Sequence, residues 1–426
     1  MSFRISMRMR GGISTVLNKG FPKNNIISGA QGYVSIIDAN NSDHTIYRKA
    51  LKPCFSAKSI RKQEAAFRKH INILMQRLWE NVQYRKDERN DINCVEGHSV
   101  VDIVKWLNFF TFDATGDFVY SESYGCLSEQ AYHPWINLIL NHLSASSLLI
   151  ILRFYTPLDQ FVNWAIDKCF PTLSAQKEMF MKEAFHKGER RMQNDNSQLF
   201  DVISLLQRQD PPLSKTQIQG NATLVSIAGS ETTATVLASI FCYMNPGVIA
   251  KLTAEIRSIR QQHDLTLSNL EKLPFLTATI LEGLRLGNPL PTGLPRVVPP
   301  EGAWICGQWV TGGTIVGVSQ LAGYHSKNNF LRPEEFLPER LLANGPRKFS
   351  HDNRDIFRPF FTGSRSCLGQ NVAWAQMRLA LGHILWTFDM KSLSTFHWQD
   401  QRSYYLWHKE PWWVELSLPS THNRPM

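Results

Sequence analysis

The stretch that decides the fold is residues 360–369, Phe-Phe-Thr-Gly-Ser-Arg-Ser-Cys-Leu-Gly, which runs from Phe360 to Gly369 and leads directly into a helix-like segment. A loop that enters a helix N-terminus directs backbone N–H groups and the positive end of the helix dipole at the sulfur of Cys367, which stabilises a thiolate. The glycines permit close approach of the backbone, and Arg365 supplies a cation nearby. The pattern therefore predicts that Cys367 binds a metal as a thiolate.

The other six cysteines follow no such pattern. They are Cys54, Cys94, Cys126, Cys169, Cys242 and Cys306. Neighbouring cysteines are at least 32 positions apart, so the paired spacing of zinc sites and redox dithiols is missing from the sequence. An odd, dispersed set indicates reduced thiols in a cytosol-facing protein, most of them ordinary packing residues.

Composition excludes several classes of protein. The chain has 426 residues, of which 43% are hydrophobic and 19% charged, so disorder, collagen and coiled coil are excluded. Lys and Arg number 46 against 36 Asp and Glu, a formal charge of +10. That surplus favours an acidic protein, an anionic membrane surface or nucleic acid as a partner, although no basic patch interleaved with aromatic residues supports nucleic acid.

The periodicity of apolar residues predicts a helical body followed by a small sheet. Helical spacing begins near residue 44 and continues to about 290, and Ser214 with Gln217 predicts a capping box that opens a long helix ending near Tyr243. The period then changes from 3.6 to 2 over 303–318, with a hairpin turn expected at Gly307-Gln308 and a second hairpin in the tail, 404–418. The fold class is therefore mainly α with a minor β portion, that is, α+β.

A second motif, Ala-Gly-Ser-Glu-Thr-Thr at residues 228–233, lies in the middle of the long helix. Glycine costs about 1 kcal/mol in a helix interior relative to alanine, so Gly229 needs a reason for its position. Gly229 and Thr232 share one face, where a missing side chain leaves room for a small ligand beside a hydroxyl. Packing between helices is the alternative explanation.

A third motif, Glu282-Gly-Leu-Arg285, places an acid and a base three positions apart on one helix surface. Taken alone, it predicts an ordinary exposed ion pair. A second arginine in Phe-Leu-Pro-Glu-Arg, Arg340, follows some fifty residues later.

The motifs occur in an order that resembles the cytochrome P-450 monooxygenases, and the likeness spans residues 33 to 418. In that family the stretch at 360–369 binds haem, so the resemblance implies haem b as cofactor, Cys367 as the axial iron ligand and Arg365 as a partner of a haem propionate. It also implies that Glu282, Arg285 and Arg340 form one buried network, which locks the cysteine loop to the core.

The resemblance assigns further site residues. Thr232 is expected to hydrogen-bond dioxygen and Glu231 to relay protons from solvent. Arg296, at the start of the small sheet, is expected to bind a propionate. His44 and Arg48 lie four positions apart on one helical face, as in the early haem-contacting helix of the family, although the aromatic residue there is often Trp.

The resemblance also implies a biological setting. The segments at 106–113 and 294–300 look like fungal secondary-metabolism members of the family, notably the isotrichodermin hydroxylase type. The expected reaction inserts one atom of O2 into an apolar small molecule, with electrons from NADPH through an acidic flavoprotein reductase that docks on the cysteine-loop side. The expected location is the cytosolic face of the endoplasmic reticulum membrane.

The N-terminal region departs from the family pattern. Residues 1–32 are expected to be an irregular lead-in, and 33–426 a single haem-thiolate domain without the usual anchoring helix and first strands. Either the gene model is clipped or the product is a shortened form. A catalytically impaired haem-binding remnant, or one without haem, is therefore the alternative to an active enzyme.

Overall fold

The computed structural model describes residues 21, 35–84, 98–137, 164, 168, 182, 185–194, 200–291 and 293–419. Helices dominate this part of the chain, and the strands form three small sheets, so the predicted α+β class is confirmed. Most of the predicted lead-in and most of the helical segment expected at 135–152 lie outside the described residues. In the segment expected at 177–191, residue 182 and residues 185–191 are described, and they are helical as predicted.

The helices, in chain order, are α1 (Asn41–Leu51), α2 (Ala57–Lys62), α3 (Glu64–Tyr84), α4 (Ile103–Tyr120), α5 (Cys126–Glu129), α6 (Val202–Gln207), α7 (Lys215–Tyr243), α8 (Pro246–Ile256), α9 (Leu267–Leu270), α10 (Pro274–Leu286), α11 (Gln320–Tyr324) and α12 (Gln370–Thr387). The strands are β1 (His98–Asp102), β2 (Arg296–Val297), β3 (Ala303–Ile305), β4 (Gln308–Val310), β5 (Ile315–Val316), β6 (Asp389–Ser392) and β7 (Trp413–Ser417).

Helix α7 is the central element of the core, and its predicted start and end are confirmed. The N–H of Ser214 donates to Gln217 Oε1 at 2.8 Å, and the N–H of Gln217 donates back to Ser214 Oγ at 3.3 Å. By length and composition α7 is apolar enough to cross a membrane, but 83% of its most apolar window is buried inside the protein. Helix α7 packs along α4 and also contacts α10 and α12.

The expectation of an all-helical body up to residue 290 is wrong at β1. This strand pairs with β7, with Val101 opposite Val414, and β7 also pairs with β6. The partner of β1 lies more than 300 residues away, so nothing in its immediate sequence distinguishes it from the helix that follows. Asp102 then ends the strand, and its Oδ1 accepts from the N–H of Val104 at 3.1 Å to cap α4.

The predicted hairpin exists, but its turn is displaced by one residue. Ile305 pairs with Gln308, so the turn is Cys306-Gly307, with φ of 55° and 76°. Two positive φ angles give the type I′ turn that matches strand twist. The expected tail hairpin is wrong, because β7 joins β1 and β6 instead. A single bridge between Ser403 and Trp407 is the one hairpin-like pairing in the described tail.

The predicted Glu-Arg-Arg network is confirmed, and it has a fourth member. Arg285 Nη2 lies 2.7 Å from Glu282 Oε1, and Arg340 Nε lies 3.1 Å from the same oxygen. Arg340 Nη1 also lies 2.7 Å from Asp352 Oδ2. All four side chains are at most 2% exposed. The network therefore links α10 to the long irregular segment that precedes the cysteine loop.

Two further hydrogen bonds continue this link toward the loop. The N–H of Arg358 donates to the hydroxyl oxygen of Tyr324 at 3.0 Å, and Gln320 Nε2 donates to the carbonyl of Arg358 at 2.6 Å. Arg285 in turn donates to the carbonyl of Tyr324 at 2.8 Å. The residues immediately before the loop are thus tied through α11 to the network.

We expect Arg340→Leu to lower the free energy of unfolding by about 3–5 kcal/mol, because it leaves the carboxylate of Asp352 buried without its cation and Glu282 with Arg285 alone. Urea unfolding followed by circular dichroism measures the change. Arg190→Leu is the matched control, since Arg190 pairs with Glu122 where both side chains are more than half exposed, and its cost should stay within about 1 kcal/mol. Equal losses in the two variants would contradict the account.

Candidate functional site

The cysteine loop is closed by its own backbone. The N–H of Cys367 donates to the carbonyl of Phe360 at 2.8 Å. Phe361 and Gly363 take positive φ angles of 56° and 76°, which fold the chain back on itself. Gly369 is the N-cap of α12, and a Cβ added to it would lie 3.9 Å from Cys367 Sγ. The loop thus presents one sulfur at the start of α12.

Cys367 differs from the other described cysteines in its surroundings. Its side chain is exposed, whereas Cys54 and Cys126 are buried and Cys242 and Cys306 are partly buried. This sulfur faces open space on one side, as a metal ligand must.

The sulfur is nevertheless enclosed by protein on its other sides. That enclosure raises the pKa of Cys367, and the Gly369 N–H and the charge of Arg48 oppose the rise without cancelling it. The predicted helix-terminus effect is therefore present but weaker than desolvation. A coordinated cation reverses the balance, because a thiol that binds a metal is deprotonated.

Three arginines that the resemblance implies as haem contacts lie around the cysteine loop. Arg48 donates to Ser366 through two bonds, to the carbonyl at 2.8 Å and to Oγ at 3.0 Å. Arg365 Nη2 donates to Asn41 Oδ1 at 2.8 Å. Arg296 is only 4% exposed, and its Nη1 donates to the carbonyl of the preceding proline at 3.1 Å.

The three guanidinium groups repel one another. Desolvation lowers the pKa of Arg365, and the charges of Arg296 and Arg48 lower it further. Within the described ranges, no carboxylate forms an ion pair with any of the three. Half-buried cations without a counter-charge are unfavourable, and an anion with several acceptor oxygens satisfies them. The residues present therefore fit a haem whose two propionates meet this cluster.

His44 and Arg48 share one helical face, as their spacing predicts. His44 is 6% exposed and sits one turn before Arg48 on the same face of α1. The structure thus brings His44 and Arg48 together on the helix that contacts the cysteine loop.

The motif at residues 228–233 on α7 includes residues that are accessible to solvent. Ala228 is exposed and Gly229 half-buried in the middle of a helix whose other residues are mostly buried. Thr232 Oγ1 donates to the carbonyl of Ala228 at 2.6 Å. The expectation that Gly229 leaves room for a ligand is corrected in part, since a Cβ there would lie 3.1 Å from Thr115 Cγ2 on α4. Gly229 therefore allows a close approach of α4 and α7, as the packing alternative predicts.

Sequence reasoning missed a partner of Glu231. The carboxylate is buried and forms an ion pair with Lys409, which lies in the loop before β7. No local pattern around Lys409 marks it, because the pair joins residues 178 positions apart.

Comparison with known proteins decides the family. A family model for cytochrome P-450 matches residues 18–412. The chain belongs to the cytochrome P-450 family. It is a haem-thiolate monooxygenase of that family, and the predicted enzyme class and cofactor are confirmed.

Two of its curated relatives are fungal. The chain is 36% identical to the cytochrome P-450 monooxygenase lcsI of Purpureocillium lilacinum, over 92% of this chain and 74% of that one. It is 34% identical to the averantin hydroxylase of Dothistroma septosporum, over 92% of this chain and 72% of the relative.

A crystal structure of a cytochrome P-450 (CYP102L1) superposes with a TM-score of 0.77 at 19% identity and covers 96% of this chain and 88% of that one. At that identity the likeness shows the fold alone. The P-450 fold predicted from the motifs is therefore confirmed.

We expect Arg296→Leu to weaken haem binding by about tenfold to a hundredfold, since a hydrogen bond to a charged group contributes ~1.5–3 kcal/mol. Haem titration of the haem-free protein measures this loss. Without haem, the substitution removes one of three repelling charges, so the urea midpoint should not fall. Haem dimethyl ester, which lacks the propionate charges, is the control ligand, and the account is wrong if Arg296→Leu weakens its binding equally.

Proposed function

We propose that this P-450 hydroxylates an apolar small molecule in fungal secondary metabolism, with O2 as oxidant and electrons from NADPH through a flavoprotein reductase. The observation that carries the proposal is Cys367 at the start of α12, the one exposed cysteine among the described residues, beside three arginines that form no ion pair with a described carboxylate. The fungal relatives, one of them named an averantin hydroxylase, support a substrate of this class.

We assign the haem contacts residue by residue. Cys367 would hold the iron through Sγ, and Phe360 and Gly369 would border the sulfur. Arg296, Arg365 and Arg48 would bind the propionates, with His44 beside them. When bound, the haem supplies the activation of dioxygen, so that one oxygen atom enters the substrate and the other leaves as water.

The residues of α7 would manage protons. The reaction takes up two electrons and two protons for each O2 consumed, so the site needs groups that deliver protons. The hydroxyl of Thr232 sits next to the exposed Ala228 and carries a proton that it now donates to a carbonyl. Glu231 is the adjacent titratable group. We propose that these two residues pass protons to the oxygen that leaves as water.

The substrate would lie beside α7. By family analogy its borders are Ser35-Ile36, Ala228-Gly229 and the segment at 290–294, of which position 292 lies outside the described residues. The first of these borders is tied to α7, because the N–H of Ile36 donates to Asn221 Oδ1 at 2.9 Å. The catalytically impaired remnant is the alternative, but the complete ion network and closed cysteine loop favour the enzyme.

A face next to the cysteine loop suits a reductase. A groove of about 250 Å³ runs beside the first turns of α12, where Arg61 and Arg378 flank Glu271 and Trp374. Arg378 also stacks over the ring of Trp374 at 4.5 Å. We propose that an acidic flavoprotein docks here, steered by the surplus positive charge of the chain.

We also propose that the protein works at the cytosolic face of the endoplasmic reticulum membrane. Trp304 and Trp309 are 61% and 54% exposed on the β3–β4 hairpin, and their rings meet edge to face at 5.7 Å. Exposed tryptophans are favoured at membrane interfaces, and the net charge of +10 favours anionic lipid.

The reaction is tested by reconstituting the protein with haem, an NADPH-dependent flavoprotein reductase and a panel of apolar polycyclic compounds. Under isotopically labelled dioxygen we expect one labelled oxygen atom in the product. In the matched variant Thr232→Ala, NADPH consumption should continue while hydrogen peroxide replaces most of the product, and Thr232→Ser should restore coupling. Haem-loaded, reduced protein that oxidises nothing in the panel and consumes no NADPH would contradict the proposal.

The membrane contact is tested with the double variant Trp304→Ser/Trp309→Ser. We expect its partition to vesicles of phosphatidylcholine and phosphatidylserine to fall about tenfold or more, because two large aromatic side chains leave the interface. Trp413→Ser is the control, since Trp413 is 48% exposed on a different sheet. Co-sedimentation measures the partition, and the proposal fails if the control and the double variant bind equally.

A further inference from the structure

The buried ion pair between Glu231 and Lys409 is the strongest unexplained feature near the site. The Lys409 side chain is 4% exposed and that of Glu231 2%. The Nζ of Lys409 contacts Glu231 Oε1 and lies 3.4 Å from the hydroxyl of Thr235, one turn further along α7. Lysine is rarely buried this deeply unless it is paired with an acidic group. Here Glu231 is that acidic partner.

Lys409 is held by a loop with fixed ends. On one side, Trp407 Nε1 donates to the carbonyl of Asn288 at 2.7 Å. On the other, the N–H of Glu410 donates to Gln401 Oε1, also at 2.7 Å. Both anchors are within two residues of Lys409, so its backbone cannot move far without breaking a hydrogen bond. The loop therefore holds the ammonium of Lys409 in one position against α7.

The two oxygens of Glu231 differ. Oε1 contacts the ammonium, whereas Oε2 is buried and has no hydrogen-bond partner among the described residues. An unsatisfied buried oxygen is costly. Thr232 follows directly in the chain, with its hydroxyl at the exposed surface of α7.

Other titratable groups near Glu231 do not compete with Lys409. The hydroxyl of Tyr132 accepts from Asn108 Nδ2 at 3.0 Å. Burial raises the pKa of Tyr132, and the charges of Glu231 and Asp102 raise it further, so this phenol stays neutral. In the part of the chain that the structure describes, Lys409 is the cation in contact with Glu231.

We propose that Lys409 is the positioning residue for Glu231: it anchors Oε1, so that Oε2 is the oxygen that accepts a proton and passes it toward Thr232. Each transfer returns Glu231 to the carboxylate, and the proton ends in the water that the reaction releases. This role rests on the proposed monooxygenase function. The fixed cation explains why one carboxylate oxygen is left without a partner.

Lys409→Met tests the proposal, because it keeps the length of the side chain and removes its charge. A buried carboxyl without its cation favours the neutral acid. In infrared pH-difference spectra of haem-free protein we expect a protonated carboxyl band near neutral pH in Lys409→Met, none in wild type, and none in Lys409→Met/Glu231→Gln. Lys409→Arg should remove the band again.

The loaded enzyme gives the second measurement. In Lys409→Met we expect kcat to fall roughly tenfold or more with KM little changed, and peroxide to rise at the expense of product. Lys409→Arg should restore most of the coupling. If Lys409→Met does not fold, Lys409→Gln, which keeps a hydrogen-bond donor without the charge, is used for the same two measurements.

Two results would overturn the proposal: a Lys409→Met spectrum without the carboxyl band, or unchanged coupling in Lys409→Met. A failure of the proposed function is recognised separately. In that case the wild-type protein itself gives no thiolate-type haem spectrum, and the infrared comparison on haem-free protein still decides whether Lys409 controls the charge of Glu231.

Discussion

The constraint on which this structure depends is a charge imbalance around Cys367. The enclosed sulfur has a raised pKa, and beside it Arg48, Arg296 and Arg365 repel one another with no carboxylate among the described residues to offset them. Each feature is unfavourable in the protein alone. An iron porphyrin with two propionates relieves both at once, because its metal favours the thiolate and its carboxylates pair with the arginines. The site therefore suits a ligand that carries a metal cation next to the sulfur and carboxylates next to the arginines.

The rest of the fold holds that site in position. The segment before the cysteine loop has little regular secondary structure, so its conformation depends on the buried network of Glu282, Arg285, Arg340 and Asp352. Such a network stabilises the protein only when it is complete. On the opposite side, α4 packs closely on α7 at Gly229, where an added Cβ would lie 3.1 Å from Thr115 Cγ2, so packing holds the helix that carries Thr232.

Much of this arrangement was predictable, because the informative signals are local. The cysteine loop, the capping box of α7 and the i, i+3 pair on α10 each depend on residues a few positions apart. Most of the misses are non-local. Strand β1 forms because β7 pairs with it, and Asp352 and Lys409 become site or network residues only when distant segments meet. The one local error, the turn at Cys306-Gly307, arose because a glycine can take either position of a two-residue turn.

The central claim is that the sulfur of Cys367 holds the haem iron. The most direct test is the carbon monoxide difference spectrum of the reduced, haem-loaded protein, compared with that of Cys367→Ser. The account predicts a long-wavelength Soret band of the thiolate type in the wild type and its loss in the variant. Folded, haem-supplemented wild type without that band, or a Cys367→Ser protein that keeps it, would contradict the account.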